Sequence, residues 1–208
     1  MANNQDHLEI EVKFFLKDPA AIRDRLLSLG TLTQPRVFET NRRYEDSGRN
    51  LKRQGKLLRL RQDHECRLTF KSRSPRSDPR FKVYRELEVT VNDADTMAAI
   101  LEALDFEAVQ SYEKWRETFA VQTASVCIDT MPYGTFLEIE GSGEQITALA
   151  HKLGLPWGER ILANYLAIFD VLRQKEKLAF TDVTFNNFSR TGAVIEPYIA
   201  EFYAGESV

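Results

Sequence analysis

The sequence predicts an α+β domain in which antiparallel strands close, or nearly close, into a barrel with a charged interior. Eight stretches alternate apolar with polar residues, as strands with one buried face do. Several of them carry two like charges at positions i and i+2, which share one face of a strand. Because such neighbours repel and both signs occur, an interior in which acids meet bases is favoured over an open sheet with one wet side.

The predicted strands are separated by turn-forming stretches, of which Met131-Pro132-Tyr133-Gly134 is one. Many short strands joined in this way, with a few helices beside them, are typical of an antiparallel α+β fold. The strands are expected at about residues 7–16, 38–46, 56–62, 65–72, 82–91, 113–122, 125–130 and 135–141.

Four helices are predicted from capping residues and from apolar residues that recur with the helical period. The pair Asp18-Pro19 is typical of a helix start, and Gly30 of a helix end. The helices are expected from Asp18 to Gly30, from Asn92 or Asp93 onward, over 142–154, and over 159–178 as the longest.

A chain of 208 residues is expected to form one domain, or one domain with an appendage. The tail from 184 onward contains aromatic residues without clear periodicity, so it either packs on the body or contacts a partner. We therefore expect a main domain over 1–178 and a C-terminal extension over 179–208 whose role the sequence leaves open.

Composition narrows the classes of function. The net charge of −3 argues against a nucleic-acid binder that depends on overall positive charge. No apolar run reaches the roughly 18 residues that a membrane span needs. Cys66 and Cys127 are far apart, and the sequence has neither a secretory signal nor a disulfide framework, so a cytoplasmic location is expected. Phosphate-binding Gly-x-x-x-x-Gly-Lys and Gly-x-Gly-x-x-Gly loops are missing from the sequence.

Three acidic pairs occupy single strand faces, each with apolar residues between its members. Carboxylate oxygens are the ligands that Mg²⁺ and Mn²⁺ prefer, and Mg²⁺ often shares its coordination with substrate phosphates. One such pair is common on solvated strands, whereas three in one chain indicate a metal site. The candidate metal ligands are Glu9, Glu11, Glu86, Glu88, Asp129, Glu138 and Glu140.

A basic set follows the same alternation. Arginine forks match phosphate oxygens, and lysine adds a compact positive charge. The alternative is that these residues are surface groups or counter-ions of the glutamates; Arg85 in particular alternates with Glu86 and Glu88 and so falls on the opposite face. The candidate phosphate-binding residues are Lys13, Arg59, Arg61, Lys71, Arg85, Lys114 and Arg116.

Taken in order, these motifs resemble the CYTH superfamily, the triphosphate tunnel metalloenzymes. The run Glu9-Ile10-Glu11-Val12-Lys13 is similar to the family's Glu-x-Glu-x-Lys signature, and the resemblance extends over about residues 7–175. Further matching segments are Arg43-Tyr44-Glu45-Asp46, Leu58-Arg59-Leu60-Arg61, Leu68-Thr69-Phe70-Lys71, Tyr84-Arg85-Glu86-Leu87-Glu88, Lys114-Trp115-Arg116, Ile128-Asp129 and Phe136-Leu137-Glu138-Ile139-Glu140.

The resemblance implies an eight-stranded antiparallel tunnel with helices outside. The carboxylates would bind Mg²⁺ or Mn²⁺, and the lysines and arginines, together with Tyr44, would bind a triphosphate. Asp129 with Glu138 or Glu140 would hold a second metal ion. The residues expected to act directly in catalysis are Glu9, Glu11, Lys13 and Lys71.

The expected activity is hydrolysis of inorganic tripolyphosphate or of a nucleoside or thiamine triphosphate, because water needs no dedicated binding pocket. The first alternative is a class IV adenylyl cyclase, which converts ATP to cyclic AMP and pyrophosphate. The second is a non-catalytic protein that binds polyphosphate or nucleotide. The expected partner is thus a small molecule rather than a nucleic acid or a membrane, and the sequence leaves open whether the chain forms a homodimer.

Overall fold

Eight antiparallel strands close into a barrel, which confirms the predicted fold class. The computed structural model describes residues 7–75 and 78–206. In barrel order the strands are β1-β5-β4-β3-β2-β6-β7-β8. Their bounds are β1 Leu8–Phe15, β2 Thr31–Asp46, β3 Leu57–Gln62, β4 Cys66–Arg73, β5 Lys82–Val91, β6 Phe106–Val121, β7 Ala124–Met131 and β8 Gly134–Glu140.

Strands β2 and β6 are 16 residues long and pair along most of their length. The predicted strands at 38–46 and 113–122 covered only part of each. The first half of β2 contains Pro35, and register shifts lie between Leu32 and Gln34 and between Gln34 and Val37. Proline and bulges both disturb local alternation, so pairing with β6 rather than strand propensity extends β2 here.

Helices flank the barrel, and the predicted starts of the first three long ones are confirmed by their caps. Asp18 accepts a hydrogen bond from the Ala21 amide, Asp93 caps the second, and Ser142 forms a capping box with Gln145. The helices are α1 Pro19–Leu29, α2 Asn50–Arg53, α3 Ala94–Ala103, α4 Gly143–Lys152, α5 Tyr165–Lys175 and α6 Phe185–Phe188, with 3₁₀ turns at Trp157–Glu159 and Glu196–Phe202. No helix among the described residues combines the length and apolar character that crossing a bilayer requires.

The predicted long helix over 159–178 is wrong in its first part. Asn164 caps α5 through a hydrogen bond from the Ala167 amide, so that helix begins only at Tyr165. Ile161 instead exchanges two backbone hydrogen bonds with Lys13, with N···O distances of 3.1 and 2.7 Å. Ile161 is apolar because it is fully buried in this extended position. Its place in the sequence also fits the helical period of the residues that follow, which is why the predicted helix started too early.

Ile161 also covers a strand edge. The β1–β5 ladder runs from Leu8 to Glu11, and beyond it the edge of β1 at Lys13 pairs with Ile161. Ile161 in turn pairs with Tyr203 near the end of the chain. The segments after α4 therefore complete the barrel wall beside Lys13.

The apolar outer faces of the strands pack against the helices and the tail. Val12, Phe14 and Ile139 belong to a core with α1 and α4, and α3 covers a smaller cluster on β2, β3 and β4. In the tail, Val183, Phe188, Ile195 and Ile199 are buried against Tyr133, Phe136 and α5. The tail thus packs on the body in its described part, 179–206. Residues 1–6, 76–77 and 207–208 of the two predicted segments lie outside the described residues. The boundary at 178 stays a prediction.

Candidate functional site

The barrel encloses a cavity of about 710 Å³, lined by side chains from every strand. Inward positions alternate with the outer apolar ones, as the strand period requires. The two signs of charge are not mixed evenly around the cavity. Consecutive strands carry mostly one sign, so the cavity has two chemically different walls.

The acidic wall is formed by β8, β1 and β5, which are neighbours in the barrel. In the direct pairing of β1 with β8, Glu11 lies opposite Glu140 and Lys13 opposite Glu138. The glutamates of this wall are Glu9, Glu11, Glu86, Glu88, Glu138 and Glu140, and they are joined by Lys13 and Lys82.

The basic wall is formed by β4, β3, β2 and β6, which are also consecutive in the barrel. Among the described residues of these four strands, Glu39 of β2 is the acidic residue that lines the cavity. The cations of this wall are Arg43, Arg59, Arg61, Arg67, Lys71, Arg73, Lys114 and Arg116.

Lysines bridge the glutamates of the acidic wall. The Lys13 ammonium lies 2.7 Å from Glu11 and 3.0 Å from Glu138, and Lys82 also pairs with Glu11. The Lys71 ammonium reaches across from β4 to contact Glu86 at 2.7 Å and Glu9. Among the described residues, no cluster of three or more His, Cys, Asp or Glu side chains forms a ready-made metal site. The carboxylates of this wall are instead paired with the ammonium groups of Lys13, Lys71 and Lys82.

The acidic charge is nevertheless incompletely neutralised. Burial, with the charges of Glu11 and Glu86, raises the pKa of Glu9 to about 7. Burial and the charge of Glu11 also raise the pKa of Glu140. For Glu11 the effect of burial is outweighed by Lys13 and Lys82, which hold its pKa below the usual range. Divalent cations prefer carboxylate oxygens as ligands, and a bound cation stabilises their negative charge. These residues therefore fit a metal ion such as Mg²⁺.

The arginines of the basic wall keep unused donors. Arg59 donates to the Tyr112 hydroxyl at 3.1 Å and to the Thr69 hydroxyl at 3.2 Å, and Arg61 donates to Glu88 at 3.2 Å. The Nε–H groups of both arginines are buried without a hydrogen-bond partner. As cavity-lining cations with donors that are not all paired, Arg59 and Arg61 fit an anionic ligand.

Asp129 lies behind this wall rather than on the cavity surface. It is fully buried and accepts hydrogen bonds from Lys114 at 2.9 Å, from Arg116 at 2.6 Å and from the Tyr165 hydroxyl at 2.9 Å. Both carboxylate oxygens are thus occupied. In this arrangement Asp129 orients two cations, and the predicted role as a ligand of a second metal ion stays a prediction.

A model of the CYTH domain family matches residues 7–154 of the chain. The chain belongs to the CYTH domain family. A search of curated proteins found no match. Solved structures share this CYTH barrel at low sequence identity, which establishes a common fold.

Three of these structures illustrate the likeness. A proposed adenylate cyclase from Vibrio parahaemolyticus has a TM-score of 0.70 and 23% identity, over 80% of this chain and 99% of that one. A protein from Pyrococcus horikoshii OT3 has a TM-score of 0.64 and 22% identity, over 76% and 96% of the two chains. A proposed adenylyl cyclase from Hippeastrum, described as having a dominant triphosphatase activity, has a TM-score of 0.56 and 20% identity, over 78% and 95%.

Two residues assigned to substrate binding from the sequence do not face the cavity of this CYTH barrel. Tyr44 is buried beneath α3 with Leu60 and Cys66. Its inward neighbour on β2 is Arg43, so strand alternation turns Tyr44 outward. Arg85 is exposed on the outer face of β5, in line with its alternation with Glu86. The remaining predicted residues line the cavity, apart from Asp129.

Sequence reasoning also missed several residues that line the CYTH cavity. Lys82 and Tyr84 continue the alternation of Glu86 and Glu88 towards the start of β5, so that signal was available. Glu39 and Arg43 share a face of β2, but the intervening Thr40 and Arg42 are polar and gave no apolar face to set the direction. Tyr165 was hidden because the predicted helix started too early.

Arg61 and Arg85 offer a matched test of which arginines serve the cavity. We expect Arg61→Ala to weaken tripolyphosphate binding about 10- to 100-fold, because it removes a charge-assisted donor worth roughly 1.5–3 kcal/mol. Arg85→Ala should leave both binding and melting temperature unchanged, since its side chain is exposed outside the barrel. Titration calorimetry with tripolyphosphate and Ca²⁺ measures this difference. Equal affinities for the two variants would remove Arg61 from the phosphate site.

Proposed function

We propose that this CYTH protein is a divalent-metal-dependent phosphohydrolase that cleaves a triphosphate-containing substrate inside its barrel. The observation that carries the proposal is the division of one cavity into an acidic wall and a basic wall. A polyphosphate chain needs cations along its length, and a divalent metal ion needs carboxylates beside those phosphates. A cavity of this kind meets both needs at once.

The basic wall would bind and orient the phosphates. Arg59 and Arg61 project from β3, and Lys114 and Arg116 project from β6 under the control of Asp129. Phosphoryl transfer depends mainly on positioning and on charge stabilisation rather than on covalent chemistry from the protein. Fixed cations in a buried cavity supply that stabilisation because they need little rearrangement as charge shifts.

The acidic wall would hold the metal ion through Glu9, Glu11 and Glu86, with Glu138 and Glu140 beside them. When bound, a divalent cation neutralises phosphate charge and polarises the phosphoryl group towards attack by water. Lys71 of the neighbouring strand β4 contacts Glu9 and Glu86, and its ammonium group would turn to the substrate phosphates when these carboxylates hold the cation. Mg²⁺ and Mn²⁺ are the metals that this donor set favours.

Hydrolysis is favoured over cyclisation. A cyclase must hold a nucleoside so that its ribose hydroxyl attacks, whereas the cavity lining is dominated by charged side chains. The Hippeastrum protein of the same fold, described as having a dominant triphosphatase activity, is consistent with hydrolysis. Adenylyl cyclase activity is the second candidate because the Vibrio parahaemolyticus protein is a proposed adenylate cyclase, and because Tyr84 and Tyr112 line the cavity, where their rings would contact a base.

The test is a panel of tripolyphosphate, ATP, GTP and thiamine triphosphate, each with Mg²⁺ or Mn²⁺, with products separated by chromatography. The proposal expects orthophosphate or pyrophosphate to appear only when metal is present. Cyclic AMP as the main product from ATP would establish the cyclase instead. Metal-dependent binding of tripolyphosphate without any product would identify a non-catalytic binding protein.

The raised pKa of Glu9 predicts how the stability of the metal-free protein depends on pH. The folded protein keeps a proton on Glu9 up to about pH 7, whereas the usual pKa is 4.5, so the unfolded chain releases that proton earlier. Stability is therefore expected to fall as pH rises through this window. Mg²⁺ should restore more stability at about pH 8 than at about pH 5, because it competes with the proton for the carboxylate.

Melting curves at several pH values measure this effect. Glu9→Gln should flatten the pH dependence, whereas Glu107→Gln, at an exposed position of β6, should leave the wild-type slope unchanged. Identical slopes for wild type and Glu9→Gln would show that Glu9 ionises in the folded protein as it does in the unfolded chain.

A further inference from the structure

Helix α5 brings residues to the cavity from outside the strands: Tyr165, Leu166, Ala167 and Asp170. The helix starts at Tyr165, directly after its cap Asn164, and this start lies beyond residues 7–154, which the CYTH family model covers. Tyr165 lines the cavity and is buried. A residue contributed from outside the family region therefore contacts the charged interior.

The hydroxyl and the ring of Tyr165 make separate polar contacts. The hydroxyl donates to Oδ2 of Asp129 at 2.9 Å, the same oxygen that the Lys114 ammonium contacts at 2.9 Å. The ring centroid lies 5.1 Å from the Lys13 ammonium and 5.4 Å from that of Lys114. An aromatic face at such distances attracts a cation, and the attraction strengthens when water is excluded.

These contacts connect the two walls of the cavity. Lys13 belongs to the acidic wall and pairs with Glu11 and Glu138, whereas Lys114 belongs to the basic wall and pairs with Asp129 and Glu39. The ring of Tyr165 is placed against the ammonium groups of both lysines. It thereby limits the positions that each ammonium group can take when its carboxylate partner turns to another ligand.

We propose that Tyr165 is a positioning residue that fixes the ammonium groups of Lys13 and Lys114 for the phosphates of the substrate. The inference rests on the proposed function, because it assigns Tyr165 a part in that same site. The hydroxyl acts through Asp129 on Lys114, and the ring acts directly on both lysines. Tyr165 itself contributes no proton and no bond to the reaction.

A purely structural role is the alternative to be separated. Tyr165 also packs edge-on against Phe136 at 5.3 Å between ring centroids, and its carbonyl accepts a hydrogen bond from the Tyr133 hydroxyl at 2.8 Å. Tyr133 is therefore a matched control. It is a fully buried phenol of the same cluster and contacts the same residue, but it is not part of the cavity lining.

The test compares Tyr165→Phe, Tyr165→Leu and Tyr133→Phe. Melting temperature, kcat and KM are measured for each with tripolyphosphate and Mg²⁺, together with the affinity for tripolyphosphate in Ca²⁺. Tyr165→Phe keeps the ring and should weaken binding about 3- to 10-fold. Tyr165→Leu should lose a further factor of about 10 in kcat/KM, a loss that corresponds to about 1.4 kcal/mol. Tyr133→Phe should lower the melting temperature while leaving kcat and KM at wild-type values.

Two results would overturn the inference. One is wild-type kcat, KM and affinity in both Tyr165 variants below their melting temperatures. The other is a loss of affinity in Tyr133→Phe as large as that in Tyr165→Phe, which would make packing the cause. A wild-type protein that neither cleaves nor binds any triphosphate of the panel would be a different failure: the proposed function would fall, and this inference with it.

Discussion

A chain that ends at residue 178 is expected not to fold. The tail beyond that point contributes Val183, Phe188, Ile195 and Ile199, all buried against the barrel and α5. Burying one such side chain contributes about 1.5–3 kcal/mol, so the four together contribute about 6–12 kcal/mol. Domains of this size have total stabilities of about 5–15 kcal/mol. Circular dichroism and thermal melting of the shortened chain measure the outcome.

Point substitutions in the tail provide the control. Ile195→Ala should lower the free energy of unfolding by about 2–5 kcal/mol, because it opens a cavity in the core. Its neighbour Val194 is 49% exposed, and Val194→Ala should cost less than about 0.5 kcal/mol. A shortened chain that still melts cooperatively near the wild-type temperature would make residues 179–206 a dispensable appendage.

Glu11→Gln is expected to reduce turnover about 100- to 1,000-fold, the scale seen when one preorganised stabilising group is lost. The carboxylate of Glu11 is buried on the acidic wall and paired with Lys13 and Lys82. The amide keeps its size but lacks the charge that holds both lysines and that would attract the metal ion of the proposed site. Initial rates at saturating tripolyphosphate, over a range of Mg²⁺ concentrations, measure the loss.

Glu45→Gln separates loss of charge in the cavity from loss of a buried charge in general. Glu45 is also a buried glutamate on a strand and pairs with Arg43 at 3.0 Å, but it is not part of the cavity lining. Breaking a buried pair costs stability at either position. Turnover should fall far more in Glu11→Gln than in Glu45→Gln, which affects the cavity only through its partner Arg43. Comparable rates in the two variants would exclude Glu11 from the metal site.

Strand alternation was sufficient to orient side chains wherever apolar residues filled the other face. Leu58 and Leu60 set the direction of Arg59 and Arg61, and Ile10 and Val12 set that of Glu11; the structure places these charged side chains in the cavity. The outward direction of the Arg85 side chain was predictable from the same alternation. These predictions use only the two-residue period, which is a local property of the chain.

Features that depend on distant contacts were not predictable from local patterns. Glu39 faces the cavity because β2 pairs with β6, and nothing beside it in the sequence sets that direction. Asp129 lies on the inward face of β7, but three donors from other elements bury it behind the wall. Ile161 was assigned to a helix because an apolar residue at that position fits the helical period. The residue is apolar for another reason, since it is buried against β1.

The pairing of Lys13 with Ile161, and of Ile161 with Tyr203, has a consequence for how the chain folds. These contacts join β1 to segments far along the chain, so the edge of β1 at Lys13 stays unpaired until Ile161 has left the ribosome. Contacts of such long sequence separation form slowly. An unpaired edge in the meantime invites association with other chains. We therefore expect slow refolding with a concentration-dependent loss of yield, which chaperones that shield strand edges would reduce.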